Sequence, residues 1–296
     1  LTVWLGSNEA SAVSTRQYTL GNSDGVTWQD VDSSALAIPA YTQSAAGTIV
    51  VSGNADLWTA TAGYNQDLAV TVNGSVIAWK ESGGFAGTFS PNAAFVEATY
   101  PVTAGQSYDV KLQWKTNKAE AAGVTVYIGA GASAPFSPTS LHVRFVSTGI
   151  SDRAINSQPS LGNSDGATWH DVDATNLSLS LSSASNCLAI LSANVDLWTA
   201  NAGYNQDVGI LVTPSDAVTF PSNIVAWKES GGFNGTYSPN AAFVQTVYPV
   251  IGGQTYTVKL EWKTNKAAAG ATIYAGAGPS NGAFSPTRLT AELICS

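Results

Sequence analysis

The chain has 296 residues, long enough for two ordinary domains with cores of their own. Only 11% of the residues are charged, the net charge is −8 and the pI is near 4.6, which excludes the clustered Lys and Arg of a nucleic-acid footprint. No apolar run approaches the ~20 residues of a membrane-spanning helix, and the surface must be built from Ser, Thr, Asn, Gln, Gly and Ala, a composition common in secreted β-proteins.

The chain opens with LTVWL, residues 1–5, which alternates as a short strand does. These residues resemble Leu141–Phe145 (LHVRF) and Leu289–Leu293 (LTAEL), the segments that close two internal repeats. They read as a surplus closing strand, with Leu1, Val3, Trp4 and Leu5 as residues for assembly with a neighbouring copy. Residues 6–19 read as a polar linker, making 1–19 an N-terminal strand and linker, and 147–160 match that linker. The chain begins with Leu and contains no Met, so a processed start and an extracellular or cell-surface location are expected.

Repeat 1 spans 20–146 and repeat 2 spans 161–296; both open with LGNSDGxTWxDVD, a turn followed by a short extended piece. An apolar run follows in each (Thr48–Ser52; Leu188–Ser192), then the motif NxDLWTAxAGYNQD. Leu68–Val72 and Val76–Lys80 flank Asn73-Gly74, a hairpin signal that repeat 2 widens with Thr213–Asn223. WKESGGFAGTFSPNAAFV (79–96) then recurs as WKESGGFNGTYSPNAAFV (227–244), and its glycines predict a rigid contact loop. Phe95–Val102 predicts a strand and Gly105-Gln106 a turn. Ser107–Lys115 alternates strictly, with Tyr108, Val110, Leu112 and Trp114 on one face and Asp109, Lys111, Gln113 and Lys115 on the other. Val124–Ile128 and Ser140–Phe145 finish the repeat. With no capped helical stripe anywhere, the fold expected is all-β: two tandem homologous antiparallel sandwiches of jelly-roll type.

The succession of Ala-Gly-Gln, an alternating VKLxW strand, a Gly-rich hairpin and a closing SPTxL strand resembles the second half of tumour-necrosis-factor/C1q-type jelly rolls. The resemblance covers the last fifty or so residues of each repeat. It implies compact jelly rolls that associate through flat faces, and it transfers no catalytic residue.

Several residue sets bear on chemistry. Cys187 and Cys295 lie near opposite ends of repeat 2, where repeat 1 has Gly47 and Ser147; a disulfide and an oxidising setting are expected, two buried thiols being the alternative. Asn22, Asp24, Asp30 and Asp32, with Asn163, Asp165, Asp171 and Asp173, are hard oxygen donors close in sequence and so candidate calcium ligands. The competing reading is an Asx turn, and no EF-hand spacing is present. Trp58, Tyr64, Trp79 and Phe85, with Trp198, Tyr204, Trp227 and Phe233, are candidate aromatic platforms for glycans, set against ordinary core packing. Trp28/Trp169 and Trp114/Trp262 are expected in the core. Both histidines, His142 and His170, align with non-histidines (Thr290 and Gln29), and no GxSxG or His/Cys cluster is present, so an enzyme is not expected. The leading expectation is a secreted, non-catalytic structural protein that self-assembles into a filament, sheath or coat. The runner-up is a lectin-like protein with two equivalent sites.

Overall fold

The computed structural model describes residues 2–4, 8–83, 91–214, 222–231, 239–279 and 282–295, with the backbone alone for 2–4, 83 and 231. The described residues are strands, turns and bends without a helix. The chain divides into unit 1, Leu1–Thr148 with Gly278–Ser285, and unit 2, Gly149–Ala277 with Pro286–Ser296.

Unit 1 contains β1 (Thr2–Trp4), β2 (Glu9–Ser14), β3 (Tyr18–Gly21), β4 (Gln29–Asp30), β5 (Ala37–Thr42) and β6 (Gly47–Thr59). It continues with β7 (Asn65–Val72), β8 (Ser75–Gly83), β9 (Asn92–Val102), β10 (Ser107–Thr116), β11 (Thr125–Ile128) and β12 (Thr139–Val146). One sheet is organised on the long β6: β9 lies along one side, while β12 and β11 lie end to end along the other. Beyond β12 come β2 and then β1, and beyond β11 comes β3. The second sheet runs β4-β10-β7-β8, with β5 also on β10, and every pairing is antiparallel.

Unit 2 repeats the plan. Its strands are β13 (Ile150–Ile155), β14 (Ser160–Gly162), β15 (His170–Asp171), β16 (Ser178–Ser182), β17 (Cys187–Thr199) and β18 (Asn205–Thr213). Then follow β19 (Ile224–Gly231), β20 (Asn240–Val250), β21 (Thr255–Thr264), β22 (Thr272–Ala275) and β23 (Thr287–Cys295). The sheets are β13-β23-β17-β22-β14, with β20 on β17, and β15-β21-β18-β19, with β16 on β21.

The core is made by the alternation that the sequence displays. Tyr108, Val110, Leu112 and Trp114 all point inward from β10, with Leu68 and Val70 of β7 beside them and Val51, Leu57, Val96, Leu141 and Val143 from the other sheet. The β7–β8 hairpin turns through Asn73 and Gly74, both in the left-handed region (φ 50° and 78°), as a type I′ turn requires.

Two expectations change. The stretches 6–19 and 147–160 are not linkers: they carry β2 and β3 in unit 1 and β13 in unit 2, reaching β14 at Ser160. A strand near the sheet margin needs little hydrophobicity, and β2 buries only the small Ala10, Ala12 and Ser14. Lys115, on the polar face of β10, is 2% exposed because it pairs with the buried Asp67 on the neighbouring β7.

Candidate functional site

The surplus strand extends the edge of its own sheet. β1 pairs with β2 through Thr2↔Ala12, Val3↔Ser11 and Trp4↔Ala10, while Leu1 and Leu5 lie outside the described residues. Unit 2 has the matching edge. Leu141 of β12 stands opposite Ala12 of β2, and its counterpart Leu289 of β23 stands opposite Arg153 of β13. β13 is therefore the equivalent of β2, yet among the described residues it forms the end of its sheet. The N–H of Leu293 donates to the carbonyl of Gly149. By antiparallel alternation, the backbone groups of Ile150 and Ala154 then face away from β23.

The Asn/Asp sets serve turns. Asp24 accepts from the N–H groups of Val26 (2.8 Å) and Thr27 (2.7 Å) and from the Thr27 hydroxyl (2.6 Å), and Asp165 repeats this with Ala167 and Thr168. Gly25, at φ 74°, sits against the Lys118–Ala119 backbone, where a Cβ would overlap it, so the Ser-Asp-Gly sequence meets a packing need. Asp32 accepts from the N–H groups of Ser34 and Ala35 and from the Ser34 and Tyr18 hydroxyls; Asp173 accepts from Thr175 and Asn176. The Thr27 hydroxyl and the Thr27 and Val26 amides lower Asp24 to about 2, and the Thr168 hydroxyl and amide, with the Ala167 amide, do the same for Asp165. Burial raises the Asp32 pKa, but the amides of Ala35 and Ser34 outweigh it and leave the group at about 2. Asp30 and Asp171 are instead ion-paired, to Lys111 (2.7 Å) and Lys259 (2.9 Å). Asn22 and Asn163 occupy left-handed turn positions (φ 62° and 54°). Among the described residues no three Asp, Glu, His or Cys side chains converge as a metal site would need.

The cysteines are joined: Cys187 and Cys295 sit opposite each other on β17 and β23 and form a disulfide.

The aromatic residues occupy separate places. Trp58 stacks on Tyr127 at 4.1 Å and donates its indole N–H to Gly129 O, as Trp198 does with Tyr274 and Gly276 O. Lys118 lies over the Tyr64 ring and Lys266 over Tyr204. Phe85 and Phe233 lie outside the described residues. Trp114 and Trp262 belong to the core, but Trp28 and Trp169 are only half-buried and stand beside Trp79 and Trp227. Sequence gives no sign of this pairing, because Trp28 and Trp169 sit just before the short β4 and β15, about fifty to sixty residues from Trp79 on β8 and Trp227 on β19.

In unit 1 the Lys115 ammonium lies over the Trp28 ring at 5.0 Å and over the Trp79 ring at 5.8 Å while paired with Asp67. In unit 2 Lys263 lies over Trp169 at 5.2 Å and pairs with Asp207 at 2.5 Å. Trp79 is 6% exposed, whereas Trp227 is 52% exposed. A cleft of about 260 Å³ opens there, lined by Trp169, Asp207, Ser222, Ile224, Trp227 and Lys263.

No family model matches the chain, and no curated relative matches it. Among solved structures it is similar to the D431N mutant VP2 protein of infectious bursal disease virus in T=1 particles, at 12% identity over 97% of this chain and 74% of that one, with a TM-score of 0.26. It is also similar to the tandem CBM22-1–CBM22-2 domain of Paenibacillus barcinonensis Xyn10C, at 10% identity over 97% of this chain and 92% of that one, with a TM-score of 0.24. At such distance these likenesses leave function to be argued from the chain's own geometry.

Proposed function

We propose that this is a secreted, non-catalytic structural protein whose copies join by strand addition, the β1 segment of one molecule adding to the β13 edge of the next. The observation that carries this reading is the mismatch between equivalent edges: β2 is covered by β1, and β13 ends its sheet. Among the described residues β1 holds its own sheet through three residue pairs, so exchanging that partner for an equivalent one costs little. Three features support close packing outside the cell. The surface carries few charges to repel a neighbour. The disulfide suits an oxidising compartment. Finally, unit 2 exposes Leu188, Val247, Ile251 and Ile294, each about half-exposed, where unit 1 has Thr48, Thr99, Thr103 and Val146.

The test is light scattering and electron microscopy of the full chain and of two variants. Deleting residues 1–8, or introducing Ala154→Pro on the outward side of β13, should leave folded monomers that do not assemble. Normal polymers from either variant would overturn the proposal.

A further inference from the structure

We propose that the Trp169–Trp227 cleft of unit 2 binds one ring of a neutral saccharide, a site separate from the strand edge used in assembly. Trp227 on β19 keeps about half of its surface in water, and an indole left so exposed is contact area awaiting a partner. Its neighbour Trp169 stands at 6.4 Å and 65°, so the two rings form a corner. One face of Trp169 is already taken by the Lys263 ammonium, which makes Trp227 the stacking platform and Trp169 the wall.

The remaining lining sets the chemistry. Lys263 and Asp207 neutralise one another, and the ammonium directs its three hydrogens to Asp207 Oδ2 (2.5 Å), Gly166 O (3.1 Å) and Thr264 O (3.4 Å). Among the described residues that line the cleft no unspent cation is left for a carboxylate or sulfate, which favours an uncharged ligand. The Ser222 hydroxyl donates to Ile224 O and so presents its lone pairs as an acceptor. A hydroxyl donor together with an apolar ring face is what a pyranose offers an indole set beside a hydroxyl acceptor. The volume, about 260 Å³, is below the ~300–1,000 Å³ of drug-sized sites and matches a single ring.

The cleft is built from the features that distinguish the repeats. Ser222 and Ile224 sit at the end of the insertion Thr213–Asn223. Gly209 replaces Ala69, and a Cβ there would meet Ile224 Cγ2 and Trp169 Cζ3 at 3.1 Å each. Glycine therefore lets the wall close onto the sheet.

The experiment is an array of neutral and acidic glycans probed with the full chain, followed by calorimetric titration of the best neutral oligosaccharide. Trp227→Ala should weaken binding about tenfold or more while near-ultraviolet circular dichroism stays native, and Trp227→Phe should retain most of the affinity. Gly209→Ala should weaken it by shifting the wall. The chain lacking residues 1–8 should bind as the full chain does, which separates this proposal from the assembly reading. Binding of acidic glycans alone, of no glycan, or equally by the Trp227→Ala protein would overturn it.

Discussion

The two halves contain the same Trp–Lys–Trp–Asp set and use it differently. In unit 1, Trp79 is shielded and the Lys115–Asp67 pair is almost entirely buried, with side chains 3% and 2% exposed. In unit 2, Trp227 stands in water and the Lys263 side chain is 14% exposed. Identical residues can thus be a structural unit in one copy and an accessible cleft in the other. Their surroundings differ: Gly209 stands where unit 1 has Ala69, and Ser222 and Ile224 line the unit 2 cleft. Retention of a residue in both repeats is therefore no guide to whether it binds anything.

The largest expected effect probes that burial. Lys115→Met leaves Asp67 charged in a site with little access to water and should cost about 3–5 kcal/mol in urea unfolding. Lys263→Met should cost less, since the Lys263 side chain is 14% exposed and water can enter beside Asp207 once the ammonium is gone. Equal losses would mean that the two clusters are energetically alike.

Next comes the disulfide, which unit 1 lacks. The pair Cys187→Ser and Cys295→Ser opens a loop with a sequence separation of 108 and should destabilise unit 2 by up to about 4 kcal/mol. Unit 1 should unfold as before, a contrast that hydrogen exchange resolves strand by strand. Equal loss of protection in both units would show that they unfold together.

The smallest effect concerns the turns. Asp24, Asp32 and Asp165 titrate at about 2 in the folded protein, below their ordinary value near 3.8. A depressed folded pKa contributes stability above the unfolded value, and that contribution disappears as pH falls from about 4 to about 2. Carboxylate titration by NMR should show these three ionised well below pH 4. Asp32→Ala should cost about 1 kcal/mol, more than Asp173→Ala, because Asp32 also accepts from the Tyr18 hydroxyl where unit 2 has Pro159. Added calcium or a chelator should not shift the melting temperature, since the oxygens of these carboxylates already face amides and hydroxyls. A clear rise with calcium would instead identify them as ligands.

Much of this molecule is legible in its sequence. Duplication follows from the paired eighteen-residue segments, and β10 and the Asn73-Gly74 hairpin follow from alternation and turn chemistry, because both are local consequences of side-chain spacing. The disulfide was also within reach, as two cysteines near the ends of one repeat have few alternatives. Tertiary structure alone decided the rest. The apparent linkers became strands because pairing with β12 or β23 supplies backbone hydrogen bonds that weakly apolar segments cannot announce. Lys115 went inside because Asp67, forty-eight residues away in sequence, meets it across β7 and β10. Trp227 stayed outside while Trp79 did not: exposure is a property of everything packed around a side chain, and no local pattern encodes it.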